Sequence, residues 1–410
     1  MQILFLTHRI PYPPDKGERI RAFHELRYLA ARHEVDLFCF ADSPESAQNQ
    51  QFLRGMCRSV DVEVLKKPAR LFHAAVNVFT GRPMSFGYFH SHDFDARVRQ
   101  AMSRCNYDVI FVYCSSMGQS IPQPAPAPLV VDFVDADSHK FAQYAAGSGH
   151  FLRWLYAREA RTIAVAEQSL GRAARLSFAA TDHDARELRG NEPGGFEVEA
   201  MPNGVQVPDT LEEPGNTRFQ EFQPYALFVG TMSYRPNSDA AVYFARHILP
   251  LVREAHPDLK FVIAGRDPSR DVRELAKITG VFVVGAVQGA FPYFQNASVS
   301  VAPFRISQGF HNKIAESLAV GTPVVTSSRA MAGIGLSERE GLFVADTAVD
   351  FAEKVSSILK DSGLRQELRR QAPTVRQRLS WETLLCRLEE SIVQVTAQPV
   401  SPARELVTKH

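Results

Sequence analysis

The amino-acid sequence predicts an α/β protein built from two doubly wound domains. Short, strongly apolar runs alternate with longer stretches whose apolar residues recur at helical spacing, which is typical of parallel strands joined by crossover helices. The alternation begins at the amino terminus and starts again after the sequence Met201-Pro202-Asn203-Gly204-Val205. With 410 residues, the chain is long enough for two domains of ordinary size, each with its own core.

Apolar runs predict the strands of the first half: Gln2–Thr7, Val35–Phe40, Val62–Leu65, Val109–Tyr113, Leu129–Val134 and Arg175–Ala180. Helices are predicted from Lys16-Gly17 to about Arg32, and over Asp93–Arg104, Phe151–Arg172 and Asp182–Arg189. In a doubly wound sheet, ligands bind outside the carboxyl ends of the strands. That rule directs attention to three segments: His8–Gly17, Cys114–Gly118 and Asp132–Lys140.

The predicted helix Phe151–Arg172 has apolar residues near helical spacing. Core packing accounts for them without any further function. The residues expected to form this buried face are Trp154, Leu155, Ile163, Ala166 and Leu170.

The second half repeats the alternation, and its predicted strands end at glycines. Gly230 follows Tyr225–Val229, Gly265 follows Lys260–Ala264, and Gly285 follows Val281–Val284. Glycine at a strand end indicates close approach of another group to the backbone. None of these turns reads GxGxxG, which argues against a nicotinamide dinucleotide. The helices predicted in this half are Asp239–Val252, Phe351–Leu359, Leu364–Gln377 and Trp381–Val395.

The stretch Ser300–Ser328 is predicted to form a strand, a glycine turn, a helix and a second strand. Unpaired amides in the first helical turn and the positive end of the helix dipole suit a phosphate. Gly309 lets an anion approach the backbone, Lys313 adds a positive charge, and Glu316 is placed to accept hydrogen bonds from ribose hydroxyls. These features fit a nucleotide sugar. The alternative is that Gly309 only makes a turn and that Lys313 pairs with Glu316 at i,i+3.

Composition excludes several functional classes. The 46 Lys and Arg residues balance 45 Asp and Glu residues, so charge gives no argument for nucleic acid as a partner. Five cysteines without paired spacing predict neither a disulfide framework nor a zinc site. The amino terminus lacks the apolar run of a signal peptide, and no stretch reaches membrane-spanning length. We therefore expect a cytoplasmic protein.

The run from Gln308 through GFHNKIA to Glu316, followed by Ala319–Val325, resembles the donor-nucleotide motif of retaining GT-B glycosyltransferases of family 4. The similarity narrows to sugar transferases of bacterial exopolysaccharide loci associated with the PEP-CTERM/exosortase system. It is carried by His8–Arg21, Val131–Ala145, the PNGV sequence from Pro202, Met232–Ala240 and the GFHNKIAESLAVGTPVV segment.

The resemblance implies a GT-B fold, in which two Rossmann-like domains face a cleft and a carboxy-terminal helix crosses back to the first domain. The implied boundaries are 1–204 for the acceptor-binding domain, 205–378 for the nucleotide-sugar domain, 379–396 for the crossover helix and 397–410 for a flexible tail. The implied reaction is retaining transfer from a nucleoside diphosphate sugar, most often UDP or GDP, to a lipid-linked glycan. No cofactor and no metal site are expected.

Residue roles follow from the same resemblance. Donor-binding positions are Asn203, Gly230, Gly265, Arg266, Gly285, Gln308, Gly309, Phe310, His311, Asn312, Lys313 and Glu316. Catalytic positions, on the acceptor side and around the leaving diphosphate, are Lys16, Gly17, Asp135, Asp137, His139, Arg235, Lys313 and Glu316. Asp135 and Asp137 also form a DxD pattern, which offers a less favoured interpretation as ligands of a divalent cation.

This chain departs from the family pattern at two places. Gln308 stands where the family has its first acid, and Thr231 where it has an arginine, so that Arg235 is the expected substitute. Pro236-Asn237 lies near the position of the family's lysine. These changes leave two alternatives open: a nucleotide-sugar epimerase of the same fold, and a non-catalytic sugar-nucleotide-binding partner.

A basic and apolar stretch follows the third predicted strand. Lys66, Lys67, Arg70 and Arg82 surround the apolar residues Leu71, Phe72, Val76, Val78 and Phe79. One interpretation is peripheral contact with the inner face of an anionic membrane. The favoured alternative is an ordinary amphipathic helix packed on the sheet.

Overall fold

The computed structural model describes residues 1–15, 17–190, 195–208, 211, 217–306, 309–331 and 334–397. Lys16, Gln308 and all but the first residue of the predicted tail lie outside these ranges. The chain divides into two compact units. The first contains Met1–Met201 together with 385–397, and the second contains Pro202–Leu384.

The first unit is a parallel sheet whose central strands are buried on both faces. Its strands are β1 (Gln2–Thr7), β2 (Glu34–Ala41), β3 (Ser59–Val64), β4 (Val109–Tyr113), β5 (Leu129–Val134), β6 (Leu176–Ala179) and β7 (Glu199–Ala200). The order is β3-β2-β1-β4-β5-β6-β7, with Ile3 in register with both Val35 and Val109. Uninterrupted apolar sequence produces this burial because helices cover both faces of the sheet.

Helices connect these strands. They are α1 (Gly17–Ala30), α2 (Pro44–Ala47), α3 (Gln50–Arg54), α4 (Lys67–Thr80), α5 (Met84–Tyr88), α6 (His92–Arg104), α7 (Asp137–Ala146), α8 (His150–Ala173) and α9 (Asp182–Arg189). Within α8, Ile163 and Leu170 are buried as predicted, whereas Trp154 is largely exposed. The prediction of a core position was wrong for Trp154 because the sequence pattern does not show that the first turns of α8 extend beyond the core.

A buried ionic cluster, here called the Arg21 triad, ties α1 to the sheet. The Arg21 side chain is fully buried, and its Nε lies 2.5 Å from Asp132 Oδ2 and 2.9 Å from Glu25 Oε1. Its Nη1 donates a hydrogen bond of 2.6 Å to the carbonyl oxygen of Met201, the last residue before the second unit. Burial and the neighbouring Asp132 raise the pKa of Glu25 well above its ordinary value.

The second unit is a six-stranded parallel sheet in the order β10-β9-β8-β11-β12-β13. Its strands are β8 (Tyr225–Val229), β9 (Lys260–Ala264), β10 (Val281–Gly285), β11 (Val299–Ala302), β12 (Val324–Thr326) and β13 (Leu342–Val344). Its helices are α10 (Arg235–Tyr243), α11 (Leu249–Ala255), α12 (Arg270–Glu274), α13 (Phe291–Asn296), α14 (Asn312–Ala319), α15 (Ala348–Lys360), α16 (Ser362–Arg378) and the start of α17 (Trp381–Ala397).

One predicted helix is interrupted. The span Asp239–Val252 is divided between α10 and α11 by a π-helical turn at Phe244–Ile248. Pro250 lies in the first turn of α11. Proline has no backbone N–H and its ring obstructs the preceding turn, so a continuous α-helical ladder does not form across it.

Helix α17 begins in the second unit and continues into the first from Leu385. In the first unit, Leu388 and Ile392 are fully buried, and the Glu389 carboxylate lies 2.9 Å from His33 Nε2 and 3.5 Å from Arg32 Nε. None of the helices described in the structure has both the length and the apolar character needed to cross a bilayer.

Candidate functional site

The strand order of the second unit identifies one position as a ligand site. From β8 the chain adds strands β9 and β10 on one side and then β11, β12 and β13 on the other, so the winding direction reverses between β8 and β11. Ligands of doubly wound folds bind outside the carboxyl ends of the strands at such a switch point. Gly230 follows β8 there, and Phe304 lies just after β11. Helix α14 follows the same strand, so the predicted donor residues lie at this edge of the sheet.

Helix α14 presents an anion-binding terminus. Gly309 adopts a positive φ of 64° in the turn before it, a conformation that favours glycine. Ile314 and Leu318 anchor the helix in the core, and no side chain among the described residues caps its first turn. Asn203 Nδ2 donates a hydrogen bond of 3.1 Å to Asn312 Oδ1, which places the Pro-Asn-Gly turn beside the start of this helix. The Ile314 amide donates a hydrogen bond of 3.0 Å to the carbonyl oxygen of His311, which leaves the amides before it and the helix dipole to favour a phosphate at this position.

Lys313 is held in a defined position. Its Nζ donates a hydrogen bond of 2.6 Å to Asn237 Oδ1 and lies over the rings of Phe228 and Phe304, at 4.6 and 4.8 Å from their centroids. Burial lowers the pKa of Lys313 to about 7, against the attraction of Glu316. Burial also raises the pKa of the Glu316 carboxyl to about 7, against the attraction of Lys313. A bound diphosphate would supply the negative charge that this lysine lacks in the free protein.

The two strand-end glycines at this edge have different roles. A Cβ on Gly230 would lie 2.9 Å from Lys313 Nζ and 2.8 Å from Asn237 Nδ2, so this glycine leaves room for the lysine. A Cβ on Gly265 would lie 1.7 Å from the carbonyl oxygen of Gly230, and Gly265 has a φ of 152°. The close approach that the sequence indicated at Gly265 is therefore made by the protein's own backbone.

His311 completes the aromatic side of the site. Its ring stacks on Phe304 with centroids 4.3 Å apart and an interplanar angle of 16°. Burial, followed by the nearby charge of Lys313, lowers the pKa of His311 to about 3. The imidazole is therefore neutral at physiological pH, so the positive charge of this cluster comes from Lys313 and the helix terminus.

Arg235, predicted as catalytic, and the predicted donor residues Arg266, Gly285 and Phe310 have other surroundings. Arg235 is exposed in the first turn of α10, and Asn237 of the same helix is the residue that contacts Lys313. The carbonyl oxygen of Arg266 accepts a hydrogen bond of 2.9 Å from the Met232 amide. Gly285 has a positive φ of 72° with open space where a Cβ would lie, and Phe310 packs against the core.

The first unit has a second candidate edge, at the carboxyl ends of β4 and β5. Cys114 and Val134, the residues at these strand ends, have positive φ values of 76° and 67°. Such strain costs free energy and occurs most often at functional positions. Next to Val134, burial and the charge of Asp184 raise the pKa of the Asp135 carboxyl to about 7. An ionisable carboxyl with that pKa can accept or donate a proton near neutrality.

His8, after β1, borders the same sheet edge. Its ring stacks parallel to Tyr113 at 6.0 Å and edge-on to Phe89 at 5.1 Å. Burial, followed by the charge of Arg9, lowers the pKa of His8 to about 3, which keeps the imidazole neutral. Its buried Nδ1 has no hydrogen-bond partner among the described residues. A neutral imidazole nitrogen in this state is suited to bind a hydroxyl group.

The remaining residues predicted on the acceptor side have different surroundings from one another. Asp137 forms an ion pair with Lys140, one turn along α7, and Gly17 is exposed at the start of α1 with open space around it. His139 Nδ1 lies 3.0 Å from the Glu187 carboxylate. Among the described residues, Asp135 and Asp137 belong to no group of three metal-ligand side chains. The group that occurs consists of His139, His183 and Glu187.

Sequence reasoning did not select three residues that the structure places at these sites. Asn237 and Phe304 hold Lys313, and His8 borders the first-unit edge. Two of these residues had a signal in the sequence. Asn237 lies close to the position where the family has a lysine, and His8 opens a segment chosen for inspection. Nothing in the sequence distinguished Phe304 from other core aromatics.

Comparison with known proteins gives one match within the second unit and others over most of the chain. Residues 223–361 match the family model described as "Glycosyl transferases group 1". An uncharacterized 44.6 kDa protein from the cps region of Klebsiella pneumoniae is 19% identical over 382 residues, covering 89% of this chain and 93% of that protein.

Solved structures share the architecture at low sequence identity. HepE of Anabaena, determined with UDP, superposes with a TM-score of 0.68 at 15% identity, covering 96% of this chain and 100% of that one. WaaG, a glycosyltransferase involved in lipopolysaccharide biosynthesis, gives 0.60 at 17% identity, with 97% and 100% covered. Sucrose-phosphate synthase from Thermosynechococcus elongatus gives 0.68 at 16% identity, with 97% and 99% covered. The predicted fold class, GT-B with two Rossmann-like units, is confirmed.

Proposed function

We propose that this protein is a glycosyltransferase that moves a sugar from a nucleoside diphosphate sugar to a glycan acceptor. The observation that carries the proposal is the Lys313 cluster, in which the ammonium group of Lys313, held by Asn237, and the first turn of α14, which no described side chain caps, lie together at the β8/β11 switch point. Both features attract a diphosphate, and Glu316 lies one turn further along the helix, where a ribose would be bound. The segment matching the group 1 family includes all of these residues.

UDP is the nucleotide we expect. HepE of Anabaena was determined with UDP and, in a further structure, with UDP-glucose. The resemblance to a protein of a cps region supports a role in making an extracellular polysaccharide. On this basis, the acceptor would be a growing glycan carried on a lipid, and the protein would act in the cytoplasm.

In the proposed mechanism, the acceptor hydroxyl attacks the anomeric carbon from the side on which the leaving group departs. The bond between that carbon and the diphosphate oxygen breaks, and a phosphate oxygen of the donor takes the hydroxyl proton. Lys313 and the first-turn amides of α14 stabilise the negative charge that develops on the departing diphosphate. The protein then acts through positioning and charge stabilisation, and the configuration at the anomeric carbon is retained.

Donor binding can be tested by thermal shift and calorimetry with UDP, GDP, TDP, ADP and their common sugars. A ligand that binds only the native state stabilises it by about 2.7 kcal/mol at a concentration of about 100 Kd. We expect one nucleotide to shift the melting temperature, and Lys313→Met and Glu316→Gln to reduce the shift at the same ligand concentration. Lys354→Met is the matched control, because Lys354 forms an exposed pair with Glu338 in the same unit. Equal shifts in all four proteins would reject the proposed donor site.

Turnover separates the proposal from its alternatives. A transferase converts donor to UDP and glycosylated acceptor, whereas an epimerase changes the sugar of the donor without acceptor, and a binding partner does neither. The anomeric configuration of the product, read by NMR, tests retention. An inverted product would instead assign Asp135, with its pKa of about 7, as the base that deprotonates the acceptor, and Asp135→Asn would then abolish transfer.

A further inference from the structure

Helix α4 exposes its large apolar side chains and turns polar ones inwards, the reverse of an ordinary surface helix. Its inner positions are occupied by Arg70, His73, Ala74, Asn77 and Val78, which are buried or half-buried. The exposed fractions of its outward-facing residues are 55% for Leu71, 65% for Phe72, 39% for Val76 and 89% for Phe79. The favoured prediction, that an apolar face packs on the sheet, was therefore wrong.

Specific contacts fix α4 in this orientation. The Arg70 guanidinium donates a hydrogen bond of 2.7 Å to Asp42 Oδ1 and lies 4.9 Å from the centroid of the Tyr88 ring. The side-chain amide of Asn77 donates a hydrogen bond of 2.8 Å to the carbonyl oxygen of Pro83. Rotating the helix to bury its apolar residues would break these contacts and leave the Arg70 charge unpaired.

A second group of exposed apolar side chains lies on the first turns of α8. Phe151 and Trp154 are 73% and 54% exposed, and their ring centroids are 6.4 Å apart. Trp154 and Phe151 precede Arg158 by one and two helical turns, so all three lie along one side of α8. Arg158 Nη2 donates a hydrogen bond of 2.6 Å to the carbonyl oxygen of Asn77, which brings that side of α8 to the end of α4. We call the exposed residues of the two helices the apolar face: Leu71, Phe72, Val76, Phe79, Phe151, Leu152 and Trp154.

The two segments that carry the apolar face have charged side chains of one sign only. No acidic residue occurs between Glu63 and Asp93 or between Asp137 and Glu159, which are the segments that carry α4 and the start of α8. Exposed cations occur in both segments: Lys66, Lys67, Arg82 and Arg153. Protruding Phe, Leu and Trp side chains flanked by Lys and Arg are typical of a helix lying in the interface of an anionic membrane.

We propose that the apolar face docks the first unit onto a lipid bilayer with anionic headgroups. The side chains that insert are those of Phe72, Phe79, Phe151 and Trp154. The side chains that contact the headgroups are those of Lys66, Lys67, Arg82 and Arg153. The lack of acids in both segments argues for an anionic lipid surface over a second copy of this chain, because a second copy would bring the same cations against Lys66, Lys67, Arg82 and Arg153. The proposal does not depend on sugar transfer, since binding to vesicles requires neither donor nor acceptor.

Trp154 provides a direct readout. The chain has two tryptophans, and the other, Trp381, is buried against Gly204. On adding vesicles of phosphatidylcholine with phosphatidylglycerol, we expect a blue shift of the fluorescence and quenching by lipids spin-labelled in the acyl chains. The same vesicles should co-sediment the protein, and Trp154→Phe should still co-sediment but lose the fluorescence change. Fluorescence unchanged by vesicles that bind the protein would overturn insertion of this face.

Substitutions separate the apolar and ionic contributions. Lys66→Glu with Lys67→Glu should weaken binding to anionic vesicles by about tenfold or more, since each cation near such a surface contributes measurably. Phe72→Ser with Phe79→Ser should abolish insertion at any salt concentration. Arg70 is left unchanged because it is buried. Matched controls in the second unit are Val349→Ser, whose side chain is 57% exposed, and Lys360→Glu.

Three results would overturn the proposal: no sedimentation with anionic vesicles, equal binding to vesicles of phosphatidylcholine alone, or equal loss of binding in the control variants. Analytical ultracentrifugation tests the other occupant. A dimer that Phe72→Ser with Phe79→Ser dissociates, without vesicle binding by the wild type, would assign the face to a second copy of this chain.

Discussion

The affinity for a nucleotide sugar should depend on pH through Lys313 and Glu316. Lys313 must be charged to bind the diphosphate, and its pKa of about 7 means that it loses its proton as the pH rises through neutrality. Glu316 must be ionised to accept hydrogen bonds from the ribose, and its pKa of about 7 means that it gains a proton as the pH falls through neutrality. Binding should therefore be tightest near pH 7 and weaken on both sides.

The magnitude follows from the two pKa values. If two groups that both titrate at about 7 were independent, about one quarter of the molecules would carry both charges at about pH 7, and the attraction between Lys313 and Glu316 raises that fraction. That fraction falls by about threefold at about pH 6 or pH 8, and by about tenfold for each further unit, which is about 1.4 kcal/mol of binding free energy. Such changes are large enough to measure by titration calorimetry.

The ligand for this titration is UDP-glucose, because its diphosphate is a diester and does not itself titrate in this range. Glu316→Gln should remove the acid limb and move the remaining limb to lower pH, because Glu316 raises the pKa of Lys313. Lys313→Met should remove the alkaline limb and weaken binding throughout. Affinity that stays constant between about pH 6 and pH 8, at fixed ionic strength, would refute the reasoning from these shifted pKa values.

Three further variants test the backbone and the core. Gly230→Ala should fold normally but bind the donor about tenfold more weakly, because its methyl group displaces Lys313; unchanged calorimetric affinity would contradict this role. Gly265→Ala should lose more than about 3 kcal/mol of unfolding free energy in urea, since its Cβ overlaps a carbonyl oxygen at a positive φ, and a stable variant would contradict the geometry. Arg21→Met should lose about 3–5 kcal/mol of unfolding free energy because it leaves the two buried acidic side chains of Glu25 and Asp132 without a cation. Burial already raises the pKa of Glu25, so the loss should shrink as the pH falls and this carboxyl becomes protonated, and a loss independent of pH would argue that packing alone is affected.

The candidate donor site was partly readable from the sequence because its components are local. Gly309, Lys313 and Glu316 lie within a single turn and helix, so helical spacing fixes their relative positions. The contacts that alter the chemistry of Lys313 are not local. Asn237 is 76 positions away, and its side chain reaches the lysine only because α10 and α14 follow adjacent strands of one sheet.

Helix α4 shows why local pattern can also mislead. Its sequence has the spacing of an amphipathic helix, and spacing alone does not say which face is inside. The half-buried carboxylate of Asp42 and the ring of Tyr88 decide that Arg70 faces inwards, since burying that charge requires a partner.

The sequence by itself determined the alternation of strands and helices, the restart after Met201, and the glycines at the strand ends, because each depends on neighbouring residues and on the periods of helix and strand. Tertiary structure alone decided which charges are buried together, as in the Arg21 triad, and which apolar side chains stay exposed, as on the apolar face. The physical reason is that burial and electrostatics depend on the distances between residues remote in sequence, and only the folded sheet sets those distances.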